Sequence, residues 1–171
     1  MSRDFEFTIV SEHTPADVHA SLTSEEQWLA RFEKAKKTDG YELIKHEDGA
    51  LTVDISEEVG ISELPGFVKK VITGKLLITR TDHWGPLVGD VADGTLAGGS
   101  SSLPAKVEGT MTLRPDGEGS VLTVRGKSTV KIPLIGGKIE SLINDMVRDM
   151  VDQETRDTIE WAEAQDAPEQ E

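Results

Sequence analysis

Val130-Lys131-Ile132-Pro133-Leu134-Ile135-Gly136-Gly137-Lys138-Ile139-Glu140 is the point where this chain changes period. Before it, apolar residues recur at every second position. After it, Ile139, Leu142, Ile143, Met146, Val147, Met150 and Val151 recur at steps of three and one. That spacing is the stripe of an amphipathic helix, prolonged less regularly by Ile159, Trp161 and Ala162. One helix over residues 137–164 is predicted, on the order of 40 Å long at 1.5 Å per residue. Asp166–Glu171 then reads as a short, disordered acidic tail, and residues 1–165 as a single domain.

Upstream of the junction the period is two. Residues 120–131 form a strand that Arg114-Pro115-Asp116-Gly117-Glu118-Gly119 turns back onto 105–113. In that partner, Val107, Met111 and Leu113 alternate with Lys106, Glu108, Thr110 and Thr112. A weaker strand lies at 88–97, and Gly98-Gly99-Ser100-Ser101-Ser102 reads as a flexible loop. Residues 75–84 form another strand. Residues 41–47 and 51–59 flank Asp48-Gly49, a tight-hairpin signal. Phe5, Phe7 and Ile9 alternate with Glu6 and Thr8 in a first strand. After it, Thr14-Pro15 opens a helix to Leu22, and Thr23-Ser24-Glu25-Glu26-Gln27 restarts it to about Lys36, before a break at Thr38-Asp39-Gly40. Thr23/Glu26 and Ser24/Gln27 both have capping-box spacing. The order β-α-α-β6-α predicts an α+β domain: a seven-stranded curved antiparallel sheet wrapped around a long C-terminal helix. A curved sheet and a straight helix diverge, and the gap is an apolar cavity.

Charge and composition narrow the function. The 171 residues carry 18 Lys and Arg against 32 Asp and Glu, a net charge of −14. That balance argues strongly against nucleic acid, whose phosphates need a basic face, and at most a transient contact with membranes is expected. With no Cys, disulfides, thiol catalysis and zinc–thiolate sites are excluded. His13, His19, His46 and His83 form no helical metal-ligand pair. No Walker loop, nucleophile elbow or dinucleotide fingerprint is present, so no metal and no cofactor is expected. The start Met1-Ser2-Arg3-Asp4-Phe5-Glu6 has no apolar signal core, and no apolar run approaches the roughly 18 residues of a membrane span. A cytoplasmic location is expected.

The 130–140 junction resembles the last-strand-to-long-helix junction of the START/Bet v 1-like helix-grip superfamily (SRPBCC, polyketide cyclase-like). More narrowly, the chain is similar to an uncharacterised bacterial branch of it, a domain of unknown function. A similar Pro–Gly-Gly–Glu junction occurs in the carbon monoxide dehydrogenase-related members of the superfamily. The Phe5–Val10 strand, Gln27-Trp28, and Leu64-Pro65-Gly66-Phe67 before a strand ending in Trp84 also fit that branch, so the resemblance spans residues 3–163. It implies the helix-grip fold and binding of lipid, sterol, polyketide or another apolar ligand, with cyclase or hydrolase-like chemistry in some members.

Three groups of residues are candidates for a binding site. Cavity walls are expected from Val53, Ile55, Ile78, Met111 and Leu113 on the sheet and from Ile143, Met146, Val147 and Met150 on the helix. Met suits variable apolar ligands, and it equally serves as core filler. Residues 63–73 place Leu64, Phe67, Val68, Val71 and Ile72 at helical spacing, with Lys69 and Lys70 on the polar side. This segment is either a lid over the cavity mouth or an ordinary surface helix. In Arg80-Thr81-Asp82-His83-Trp84, Arg80, Asp82 and Trp84 share a face with Leu76 and Ile78. Arg80 and Trp84 then anchor a ligand's polar or aromatic end, unless the strand twists and leaves Arg80 at a solvated rim. The expected function is noncovalent binding of a lipophilic small molecule, for carriage, storage or sensing. Two alternatives stay open: an interaction module with a filled core, and a cyclase/dehydratase-type enzyme using Arg80, Asp82 and Tyr41. Catalytic residues are not assigned.

Overall fold

Phe5 faces Gly126, Gly126 faces Gly109, Gly109 faces Leu96, Leu96 faces Asp82, and Asp82 faces Val53: one row of residues crosses six strands. This computed structural model describes residues 2–35 and 40–166. Its strands are β1 (Ser2–Ser11), β2 (Gly40–Lys45), β3 (Leu51–Val59), β4 (Leu76–Trp84), β5 (Ala92–Ser100), β6 (Ala105–Asp116) and β7 (Gly119–Val130). They form one antiparallel sheet in the order β1-β7-β6-β5-β4-β3-β2. The helices are α1 (Pro15–Leu22), α2 (Glu25–Ala35), α3 (Gly66–Lys69) and α4 (Gly136–Asp166), with one 3₁₀ turn at Ile61–Glu63. The expected seven-stranded sheet and long helix are both present. Residues 167–171 of the expected tail, and Thr38 and Asp39 of the expected break, lie outside the described residues; Asp166 closes α4 and Gly40 opens β2.

The local signals act as their chemistry dictates. Thr14 Oγ1 accepts from Asp17 N at 3.2 Å ahead of Pro15, capping α1. Of the two candidate caps for α2, Ser24 is used: its Oγ accepts from Gln27 N at 3.3 Å, while Thr23 donates to His19 O. Gly49 takes φ +91° in the β2–β3 turn, where Asp48 Oδ1 accepts from Ala50 N.

Glycines set the inner face. A Cβ at Gly126 would lie 2.3 Å from Glu108 O and 2.6 Å from the Phe5 ring. Only a residue without a side chain lets Phe5 fold flat over β7 there. α4 rests along β1 and β7 and against α1. Three apolar clusters fill the grip. The first joins Phe5, Trp84, Leu96, Met111, Val124 and Val147 to α1. The second gathers Val68, Ile72, Leu76, Leu103, Val130 and Ile139 at the α3 end. The third holds Trp28, Phe32, Leu51 and Val53 beneath α2.

Three elements depart from the expected pattern. Gly98, Gly99 and Ser100 are not a loop; they are the last residues of β5, and Gly98 pairs with both Arg80 and Val107. The strand accordingly runs 92–100, not 88–97, because backbone pairing on both sides outweighs the glycines' lack of strand propensity. The expected helix over 63–73 is reduced to the single turn of α3, preceded by Pro65 and followed by Gly74 at φ +82°. The far end of α4 buries Val151, Thr155 and Thr158 rather than Trp161, so the stripe continues through small polar residues.

Candidate functional site

β4 carries the site. Its inward residues run Leu76, Ile78, Arg80, Asp82, Trp84 from the α3 end toward α1. The expected common face of Arg80, Asp82 and Trp84 is thus the inner one, with Asp82 only 5% exposed. Arg80 does not stand alone. Its Nε donates to Asp82 Oδ1 at 2.9 Å and Nη2 donates to Asp82 Oδ2. Nη1 and Nη2 donate to Glu154 of α4 at 2.6 and 2.7 Å, and Nη1 also to Met150 Sδ at 3.1 Å. These bonds engage all five guanidinium donors. Gly98 faces Arg80 across β4–β5.

Arg31 of α2 completes a quartet in which Asp82 is buried and Arg31, Arg80 and Glu154 are half-buried. Its Nη2 donates to Glu154 O and Thr158 Oγ1, its Nη1 lies 3.9 Å from Glu154 Oε2, and its guanidinium stacks 4.4 Å from the Trp28 ring. Two arginines and two carboxylates make the quartet neutral, as burial requires. Arg31 Nε and Gln27 Oε1, one turn apart on α2, are buried without a hydrogen-bond partner. Burial raises the Asp82 pKa above its ordinary value, and Arg80 only partly opposes this. For Glu154, burial is outweighed by the Arg80 charge and hydrogen bonds together with Arg31, which hold its pKa below the ordinary value. Burial lowers the Arg31 pKa, and the two carboxylates raise that of Arg80 despite its burial.

The expected wall residues divide among the clusters. Trp84, Met111, Leu113 and Val147 belong to the first, with Ile143 and Met150 packed against it. Val68 belongs to the second, fringed by Leu64, Phe67, Val71, Ile78 and again Ile143. Val53 and Ile55 lie in the third, beneath α2 and apart from the others. Met146 is 49% exposed and joins none of them. Tyr41 is exposed and stacks on Phe32 rather than reaching Arg80. His83 faces outward, where the Thr52 hydroxyl sits between it and His46.

The second cluster differs in kind from the first. In the first, twelve buried side chains carry a fringe of six half-buried ones; in the second, six buried ones carry ten. The apolar interior therefore reaches solvent at the α3 end. Ile143 packs against both clusters, and Ile78 precedes Arg80 on the inner face, so apolar side chains run from that end to the quartet. A groove of about 460 Å³ opens beside the second cluster, lined by its Leu103 and Ala105 together with Pro104, Lys106, Lys127 and Lys131 among others.

Sequence reasoning missed Glu154, Arg31 and Gln27. Glu154 had a signal: it lies seven residues after Val147 and four after Met150, a carboxylate in register with the apolar stripe.

Comparison with known proteins gives the fold and the family. The Zhui aromatase/cyclase of Streptomyces sp. R1128 superposes with a TM-score of 0.61 at 12% identity, covering 98% of this chain and 97% of that one. A START superfamily protein of Mycobacterium smegmatis superposes with a TM-score of 0.51 at 14% identity, over 90% and 95% of the two chains. The architecture is thus the START/Bet v 1-like helix-grip fold. An uncharacterised protein of Mycobacterium tuberculosis is 31% identical over 169 residues, which is 94% of this chain and 97% of that protein. The family model described as "Protein of unknown function (DUF2505)" matches residues 6–162, and the chain belongs to that family.

Proposed function

We propose that this domain binds a lipophilic small molecule between the sheet and α4, admitted at the α3 end. The half-buried apolar fringe of the second cluster carries the reading. Apolar side chains left half-exposed around a buried floor are stabilised by a ligand that covers them, at roughly 25 cal/mol per Å² removed from water. Leu64, Phe67 and Val71 form the mouth, and Ile78 and Ile143 lead inward.

The quartet sets the ligand's chemistry at the deep end. Arg80 has no donor left for a ligand carboxylate. The carboxylate oxygens of Asp82 and Glu154 retain lone pairs. A neutral lipophile, or one ending in a hydroxyl that donates to these oxygens, suits the site better than a fatty acid, whose carboxylate meets no free Arg80 donor. Carriage, storage and sensing are all consistent with noncovalent binding of this kind.

Titration with a fluorescent polyaromatic probe, followed by competition with a fatty alcohol and a fatty acid of equal chain length, tests this. Saturable binding with the alcohol as the stronger competitor is expected. No saturable binding across a broad lipophile panel would favour an interaction module with a filled core. A second reading, cyclase-type chemistry, draws on the hydrogen-bonded Arg80–Asp82 pair and the raised pKa of Asp82. Recovery of a chemically altered ligand from the wild type, and of the unaltered one from Asp82→Asn, would favour it.

A further inference from the structure

We propose that the end of the grip formed by α3 and the β7–α4 turn docks on a bilayer surface containing anionic phospholipid, with Leu134 entering the headgroup layer. Leu134 is 104% exposed, and among the described residues it is the only non-glycine with positive φ, at +72°. The left-handed region is unfavourable for leucine, so the surrounding structure imposes this placement. Ile135 N donates to Pro133 O and Gly136 N to Ile132 O, closing the turn on both sides of Leu134. Ile132 and Ile135 turn into the second cluster, and Leu134 is left outside. Ile61, 37% exposed, stands on the 3₁₀ turn just before Leu64 of that cluster.

Charge selects the partner. Residues 64–75 and 130–139 together hold five of the chain's 18 basic residues and none of its 32 acidic ones. All five, Lys69, Lys70, Lys75, Lys131 and Lys138, are exposed. Lys138 Nζ lies 4.2 Å from the Phe67 ring, which ties the two segments together, and Lys75 lies 3.7 Å from Glu58. The carboxylates concentrate elsewhere, notably at Asp149, Asp152, Asp157, Glu160 and Glu163 along the far half of α4. At 1.5 Å per residue those positions begin about 20 Å from the start of the helix, beyond one Debye length of roughly 10 Å at 0.1 M salt; nearer the tip stand the exposed Glu63 and Asp145, and Glu140, whose buried carboxylate accepts from Val130 N. A chain of net charge −14 is repelled by an anionic surface in most orientations, and this end offers it an apolar tip flanked by five lysines.

The docking does not depend on a bound ligand. That it serves to load or deliver one rests on the function proposed above. Co-sedimentation of the full chain with vesicles of phosphatidylcholine, alone or with phosphatidylglycerol, tests it. Binding to the anionic vesicles at low salt and little to the neutral ones is expected. Leu134→Asn should bind about tenfold more weakly, the scale of one leucine withdrawn from an apolar environment. Asn accepts positive φ, so the thermal midpoint should be kept. Lys131→Gln combined with Lys138→Gln should weaken binding and flatten its salt dependence. Val88→Asn, at a 73% exposed residue in the β4–β5 turn at the opposite end of the sheet, should change nothing. The proposal is overturned if anionic vesicles bind no better than neutral ones, if Leu134→Asn binds like the wild type, or if Val88→Asn weakens binding equally. Loss of vesicle binding with probe binding intact would sink the docking and leave the ligand reading standing; the converse would do the reverse.

Discussion

Glu154 of α4 holds Arg80 of β4 through two hydrogen bonds of 2.6 and 2.7 Å. The pair joins the far half of the helix to a strand four places across the sheet from β1, whereas the body of α4 rests on β1 and β7. Glu154→Gln leaves two largely covered arginines, 14% and 15% exposed, facing one carboxylate. Breaking such a group by removing one partner costs about 3–5 kcal/mol. For a domain of this size the thermal midpoint should fall on the order of 10 °C. Scanning calorimetry of the variant reads this directly, and a fall under about 3 °C would show the quartet to be a solvated rim.

Asp82 and Glu154 titrate with opposite signs. The raised Asp82 pKa means that the folded state binds this proton more readily than the unfolded chain. Its ionisation therefore costs stability, and the cost is relieved as pH falls through the raised value. The lowered Glu154 pKa contributes stability that is full above the ordinary carboxylate value and is lost as pH falls through the folded one. Urea midpoints at neutral pH should therefore place Asp82→Asn closer to the wild type than Glu154→Gln. The Glu154→Gln deficit should shrink as pH drops below the ordinary carboxylate range. The reverse order of the two variants would overturn the assignment.

Glycine positions provide a test of the inner face. Gly126→Ala drives a Cβ into Glu108 O and the Phe5 ring, and overpacking of this kind costs about 1–3 kcal/mol or more. Gly66→Ala, in α3 with nothing within 4 Å of the new atom, should be neutral or stabilise by about 0.4–1 kcal/mol. Equal denaturant midpoints for the two would mean that Phe5 does not lie over β7.

Phe67 and Val68 are neighbours with different duties. Phe67 is half-buried at the fringe of the second cluster, and Val68 is 3% exposed in its floor. On the proposed function, Phe67→Ala should speed probe dissociation in stopped flow with only a modest fall in melting temperature. Val68→Ala should lower stability by about 1–3 kcal/mol with exchange little changed, as loss of buried methyl groups does. If Phe67→Ala unfolds the domain, or alters neither property, this segment is not a lid.

Much of this architecture is legible in the period of the sequence. The change at residues 130–140 separates sheet from helix, and Asp48-Gly49 and Thr14-Pro15 fall where their turn and cap chemistry is needed. Strict alternation along β4 puts Arg80, Asp82 and Trp84 on one face but leaves open a twist that sets Arg80 at the rim; the packing of Trp84 and Asp82 makes that face the inner one. What alternation does not carry is the partner on another element. Glu154 is 74 residues from Arg80, and only the packing of α4 brings them together. Arg31 hides in the same way on α2 behind an ordinary helical pattern of Trp28 and Phe32. The Gly98-Gly99 pair misleads because glycine's weak strand propensity is a local property, while its place in β5 is decided by β4 and β6 on either side.

Ser2 pairs with Thr129, and every rung between β1 and β7 spans more than 100 residues of chain. During synthesis β1 emerges long before its partner exists, and it waits with Phe5, Phe7 and Ile9 uncovered. Contacts of such separation are made late, because the entropy of closing the long loop must be met before any rung forms. The meander from β2 to β7 can assemble from neighbouring hairpins, leaving a glycine-floored trough open along β7. Only after β1 docks does α4 have both of the strands it rests on, so until then the trough along β7 and the stripe of the helix are apolar surface open to a chaperone.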